Sequence, residues 1–114
     1  MPTEEIGVAI ATQRKRPRIT HTVGRPMRPA VYFLECGEGG PIKIGYAESP
    51  YHRSRDLQEG SPYPLRILAV LVAPREMERE IHRRFVAHNV RGEWFAPCAE
   101  LLEYIAELRN VRAA

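Results

Sequence analysis

Long apolar segments are missing from this chain of 114 residues, since no apolar run approaches the roughly 18 residues that a membrane-spanning helix needs. Cysteine is scarce: Cys36 and Cys98 are the only two, and they form no CxxC pair. Two widely spaced cysteines predict reduced thiols rather than a disulfide framework or a zinc cluster. No basic leader precedes the short apolar stretch of MPTEEIGVAIATQ, so we expect no secretory signal, no membrane partner and a cytoplasmic location.

Positive charge is concentrated at the N-terminal end. Residues 1–29 carry six basic side chains against two acidic ones, a net +4, whereas the rest of the chain sums to −1. The segment QRKRPRITHTVGRPMRP holds three prolines and shows no periodicity, which predicts a flexible, extended arm. Two interpretations stay open: an arm that binds a polyanion such as DNA, or a solvated leader. The candidate nucleic-acid-binding residues are Arg14, Lys15, Arg16, Arg18, Arg25 and Arg28.

The sequence from residue 30 to residue 112 predicts one compact α+β domain. Runs of β-branched and aromatic residues flank the turn cluster GEGGP, which favours a hairpin of two strands. Met77, Ile81 and Phe85 recur every four residues and predict the buried stripe of a helix. Predicted strands cover 30–35, 42–46 and 65–72, predicted helices begin at Pro50, Pro74 and Ala99, and NVRGEWF is predicted as a loop. The order β-β-α-β-α-α predicts a small three-stranded, mainly antiparallel sheet flanked by helices.

Several polar side chains on these elements are candidates for chemistry, although each has an ordinary structural explanation. Tyr32 and Lys43 lie on the predicted hairpin, where a tyrosine packs a sheet and a lysine faces solvent. Arg53 suits a phosphate because its planar guanidinium donates two parallel hydrogen bonds, yet its helix is predicted to be exposed. Glu78 and His82 are four residues apart on one helix face, which fits either a metal and proton-transfer site or a solvated acid–base pair.

The joint spacing of these residues resembles the nuclease superfamily named for its GIY and YIG tripeptides. VYF (31–33) stands where GIY is expected, KIG (43–45) stands where YIG is expected, and Arg53 follows at the position of the family arginine. EREIHRRF matches the family's later helix, with Glu78 at the position of the metal-binding glutamate. The chain is similar in particular to a phage-borne and bacterial subgroup whose ordered motifs end in GEWF, and the match extends over residues 30–108.

The resemblance implies a hydrolase of phosphodiester bonds that works with a single divalent ion, Mg²⁺ or Mn²⁺. By position, Glu78 would bind the ion and Arg53 would bind a nonbridging phosphate oxygen. Tyr32 would act as general base or orient the attacking water, with Lys43 either stabilising its phenolate or acting as the base itself. His82 would protonate a leaving group or contact phosphate. Tyr46 and Glu93 are two further candidate site residues.

Two departures from the family pattern leave alternatives open. Val31 replaces the first glycine of GIY, and Lys43 replaces the tyrosine of YIG. The sequence predicts a DNA endonuclease or nickase of a phage or mobile element, with the basic arm aiding DNA binding. The alternatives are a non-catalytic nucleic-acid-binding module and a protein-interaction domain on the same fold.

Overall fold

A single mixed sheet with helices on both faces organises the described part of the chain in the computed structural model. The structure describes residues 28–110 and two earlier strands, β1 (Gly7–Ala11) and β2 (Pro17–Ile19). The later strands are β3 (Ala30–Cys36), β4 (Ile42–Ala47), β5 (Leu65–Val72), β6 (Asn89–Arg91) and β7 (Trp94–Phe95). The helices are α1 (Pro50–Glu59), α2 (Glu76–Arg84) and α3 (Ala99–Asn110), with a 3₁₀ turn at Val86–His88.

The predicted three-stranded sheet is wrong. Among the described residues the sheet has seven strands in the order β2-β1-β5-β3-β4-β7-β6. Residues 30–110 supply five of them, and neighbours within this set are all antiparallel. β1 adds on parallel to β5, and β2 pairs antiparallel with β1 at the outer edge.

Strands β6 and β7 account for the error inside the domain, because both lie in the segment that was predicted as a loop. Gly92 has a φ of +53°, a left-handed conformation that lets the chain reverse between the two strands. The Asn89 side-chain amide fixes this turn by donating to the carbonyls of Gly92 and Trp94, at 2.9 and 3.2 Å. Strands of three and two residues are too short for an alternating pattern to become visible in a sequence.

The two faces of the sheet carry separate hydrophobic cores, because successive strand residues point to opposite faces. Val31 and Phe33 of β3 join the core formed with α2 and α3, whereas Tyr32 and Leu34 join a smaller core that packs against α1. Three helices therefore flank the sheet, as the sequence predicts. In the part of the chain that the structure describes, no helix is long and apolar enough to cross a membrane.

β1 and β2 fall within residues 1–29, the segment that the sequence predicts as a basic arm. Of its candidate nucleic-acid-binding residues, Arg28 is exposed and Arg18 lies in β2. The other four, Arg14, Lys15, Arg16 and Arg25, lie outside the described residues. Elsewhere in the chain, Cys36 and Cys98 are both free and partly buried, which confirms the expectation of reduced thiols.

Candidate active site

The phenol of Tyr32 is packed against the backbone of the neighbouring strand. Tyr32 in β3 pairs with Gly45 in β4, and its side chain is only 2% exposed. A Cβ atom added at Gly45 would lie 2.5 Å from both the Tyr32 hydroxyl and the adjoining ring carbon. Because real Cβ atoms do not approach other heavy atoms this closely, the ring can occupy its place only beside a glycine. The glycine of KIG therefore positions the tyrosine of VYF.

Arg53 reaches the same phenol from the first helix. Pro50 occupies the first turn of α1, and the backbone N–H of Arg53 donates to the Ser49 carbonyl at 3.0 Å, which closes that turn. The exposed Arg53 guanidinium donates a side-chain hydrogen bond to Tyr32. Burial and the charge of Glu93 raise the pKa of the Tyr32 phenol above its ordinary value, and Arg53 offsets only part of this rise. Tyr32 therefore keeps its proton at neutral pH.

Lys43 and Glu93 form an ion pair beside this phenol. The Lys43 Nζ lies 2.8 Å from a Glu93 carboxylate oxygen, and the lysine side chain is 13% exposed. The Trp94 ring lies next to the same ammonium group, with its centroid 5.6 Å from Nζ. Glu93 is held in place by its own backbone, since its carbonyl accepts a 2.9 Å hydrogen bond from the N–H of Ile44. The turn between β6 and β7 thus fixes a carboxylate against the lysine.

Glu78 brings a second carboxylate to Glu93 from α2. The Glu78 side chain is 13% exposed and shares a hydrogen bond with Glu93. Burial raises the pKa of Glu78, and the nearby Glu93 carboxylate raises it further, while the positive charges of His82 and Arg75 act in the opposite direction. Two carboxyl groups that share a hydrogen bond need one proton between them, which agrees with the direction of the shift.

His82 ties α2 to the edge of the sheet. Its Nε2 lies 2.8 Å from the Ile44 carbonyl oxygen, which can only accept, so Nε2 carries the proton and donates it. The imidazole also packs edge-on against Phe95, with ring centroids 4.9 Å apart. The same nitrogen is 3.9 Å from a Glu78 oxygen, too far for a hydrogen bond. His82 therefore anchors the helix that carries Glu78.

These side chains come from opposite faces of the sheet and meet at its edge because β7 is short. Lys43 and Gly45 lie on the α1 face together with Tyr32, whereas α2 packs on the other face. β7 pairs with β4 only at Ile42 and Lys43. Among the described residues no strand covers β4 beyond that point, so the α2 carboxylate reaches around the edge to the tyrosine side.

The residues present fit a hard divalent cation such as Mg²⁺. Such an ion is commonly held by one or two carboxylates together with water and substrate phosphate oxygens, rather than by an all-protein cage. Glu78 and Glu93 offer two adjacent carboxylates. No group of three or more potential ligands from His, Cys, Asp and Glu occurs within the described residues, so further ligands would come from water and substrate.

Sequence spacing brought out most of this cluster but not all of it. The structure brings Tyr32, Arg53 and Glu78 together with the ion pair of Lys43 and Glu93. The candidate Tyr46 lies on the opposite sheet face from Tyr32. Its ring carries the guanidinium of Arg75 at 4.8 Å from the centroid, and Arg75 was not among the predicted residues. The available signal was its position three residues before Glu78, a spacing that makes helix residues neighbours.

The comparison with protein families gives one match. The sequence model of the T5orf172 domain matches residues 30–112, which include β3 to β7, all three helices and every residue of the cluster. No curated protein and no solved structure is similar enough to the chain to count as a match.

Proposed function

Because the chain belongs to the T5orf172 domain family, we propose that it is a metal-dependent DNA endonuclease or nickase of the GIY-YIG type. The family is associated with nuclease-like proteins of phages and mobile elements, which supports a nuclease or DNA-related role. The finer proposal rests on one observation: an exposed arginine, a buried tyrosine, a lysine and two carboxylates converge at the uncovered edge of β4.

Arg53 and Lys43 supply the positive charge that a phosphodiester requires. The Arg53 guanidinium is exposed, and its fork is suited to two nonbridging phosphate oxygens. Lys43 is paired with a carboxylate, which favours its ammonium form, so it serves as a cation rather than as a base. Both groups would stabilise the additional negative charge that develops on the phosphate as water attacks.

Glu78 and Glu93 would hold the divalent ion, Mg²⁺ or Mn²⁺. Such an ion supplies Lewis-acid activation of the phosphate and stabilises the leaving oxygen. Positive charge at these carboxylates also removes two of the influences that raise the pKa of Tyr32. In the free protein the protonated phenol orients water by hydrogen bonding, and in the loaded site its pKa shifts downward, toward the range in which it accepts a proton.

His82 has a positioning role in this proposal. Its Nε2 proton is already donated to the Ile44 carbonyl, so it is not free for a leaving group. The attacking water gives its oxygen to phosphorus, the bond from phosphorus to the leaving oxygen breaks, and that oxygen takes up a proton. His82 contributes by keeping Glu78 on the tyrosine side of the β4 edge.

The experiment that tests the function is supercoiled-plasmid nicking in Mg²⁺ or Mn²⁺. We expect Glu78→Ala and Arg53→Ala each to lower the nicking rate by about 10²- to 10³-fold, as removal of a single group that stabilises the transition state does. Glu80→Ala is the matched control, because Glu80 is an exposed glutamate on the same helix. Wild-type protein that nicks under neither ion overturns the function, and variants that nick like wild type overturn the site.

One observation favours a second candidate function, a nucleic-acid-binding module without catalysis. The ion pair of Lys43 and Glu93 neutralises two of the charges that catalysis would use. This alternative predicts that the protein retains DNA on a filter or gel but leaves the plasmid supercoiled with either ion.

A further inference from the structure

Three arginines form a row along the exposed surface of α2. The arginine row consists of Arg75, Arg79 and Arg83, and all three residues are exposed. They are four residues apart, so successive members lie about 6 Å apart along the helix axis and turn by only about 40° around it. The helix therefore presents a narrow line of positive charge rather than scattered basic residues.

The arginine row borders the candidate active site. Arg75 and Arg79 lie three residues before Glu78 and His82, which makes each pair neighbours on the helix surface. The guanidinium of Arg75 lies over the Tyr46 ring of β4, and its charge lowers the pKa of Glu78. The row thus begins at the uncovered edge of β4 and leads away from it along α2.

Ion pairing within the helix does not account for the row. Glu76 and Glu80 lie three residues before Arg79 and Arg83, at a spacing that favours ion pairs. Among the described residues, however, neither arginine belongs to an ion pair. The guanidinium groups of Arg79 and Arg83 are left with solvent as their only partner in the described part of the chain.

We propose that the arginine row binds successive phosphates of one nucleic-acid strand and guides that strand to the active site. The proposal rests on the proposed function for the nature of the ligand, since DNA is the polyanion that a site for phosphodiesters requires. One strand of a duplex presents a negative charge about every 3.4 Å along the axis, so each 6 Å step of the row corresponds to roughly two phosphates. Contacts of this kind set affinity and register and carry no sequence information.

The test measures how the affinity for DNA depends on salt, with no cleavage involved. A fluorescent duplex of defined length is titrated with the full chain in EDTA at several NaCl concentrations, and binding is followed by anisotropy. We expect Arg79→Gln with Arg83→Gln to reduce the slope of log K against log salt by about 1.8, since each lost contact with B-DNA removes about 0.9. A lysine pair at the same positions keeps the charge and should keep the slope.

The matched control is Arg55→Gln with Arg84→Gln, which removes the same net charge elsewhere. Arg55 lies exposed on α1, and Arg84 stacks on Tyr104 with its guanidinium 4.7 Å from the ring centroid. This pair should leave the slope near the wild-type value. An unchanged slope in the row variant, or an equal loss in the control, overturns the proposal.

The outcome is separable from that of the nuclease proposal. If wild-type protein nicks plasmid, the row variant should show a raised KM and an unchanged kcat, because the row touches no reacting atom. If wild-type protein never nicks and the row variant still loses slope, the function fails while the binding surface stands. If wild-type protein nicks and the slope does not change, only the arginine row is refuted.

Discussion

Gly45 is under a packing constraint that its two strand neighbours, Ile44 and Tyr46, do not share. A Cβ atom there would lie 2.5 Å from the Tyr32 hydroxyl, and the tyrosine ring, which is 2% exposed, has no free space in which to retreat. Any side chain at this position must push the ring or separate β3 from β4. The position therefore couples the stability of the hairpin to the placement of the phenol.

We expect Gly45→Ala to lower the free energy of unfolding by about 1–3 kcal/mol, the usual cost of overpacking, and to lower nicking as well. Urea unfolding followed by circular dichroism measures the first effect. Gly60→Ala is the control, because a Cβ at Gly60 would meet only the Leu57 carbonyl oxygen at an ordinary 3.9 Å. Equal stability of the two variants would show that the tyrosine ring moves at no cost.

At this scale the sequence allowed the identities of the residues to be predicted but not their pairings. Tyr32, Arg53 and Glu78 were found from the spacing of tripeptides and helices. The partner of Lys43 was not, because Glu93 reaches it through a turn that closes fifty residues later in the chain. The role of His82 was also not predictable, since no sequence pattern indicates a hydrogen bond from a side chain to a backbone carbonyl 38 residues away.

At the scale of elements, α2 depends on His82 for its fixed position against β4. The hydrogen bond to the Ile44 carbonyl occupies a backbone acceptor that no strand pairs with in the described part of the sheet. The ring also packs against Phe95. Loss of the imidazole would therefore affect Glu78 through its helix and not through direct chemistry.

We expect His82→Ala to cost about 1–3 kcal/mol of stability, because a partly buried carbonyl is left without its donor. It should also weaken Mn²⁺ binding measured by electron paramagnetic resonance, since Glu78 is held less firmly. His88→Ala is the control, because His88 lies past the helix and is 3.8 Å from its only ionic neighbour, Glu100. Wild-type stability and metal affinity together with lost nicking would instead indicate a general acid.

The long elements were predicted well and the short ones were missed. β3, β4 and β5 agree with the predicted strands to within one residue, because runs of six to eight residues show a clear apolar pattern. β6 and β7 carry no such pattern, and their pairing is determined by the Gly92 turn and by the free edge of β4. Tertiary contacts thus created the very strands whose brevity opens the site.

At the scale of the whole molecule, the N-terminal segment contributes to the sheet as well as to charge. β1 pairs in parallel with β5 over four positions and lies against α3. Removal of β1 would expose the edge of a buried, apolar strand. The segment that composition predicts as an arm therefore has a structural task in its described part.

Deletion of residues 1–27 should lower the thermal midpoint and increase aggregation, because the β5 edge loses its partner. Differential scanning calorimetry measures the midpoint, and light scattering measures the aggregation. Deletion of residues 1–5, which keeps β1, is the control and should melt like the full chain. A purely flexible arm makes the opposite prediction: an unchanged midpoint and only a weaker affinity for DNA.

The uncovered stretch of β4 has a consequence for solubility. A bare strand edge invites pairing with the same edge of another molecule, and charged side chains beside the edge oppose this. Here the charges that line the gap are those of the candidate active site, including Lys43, Glu93 and Glu78. The residues proposed to cut a phosphodiester thus also keep copies of the protein apart, and selection for monomeric behaviour would preserve them even in a relative that had stopped cutting DNA.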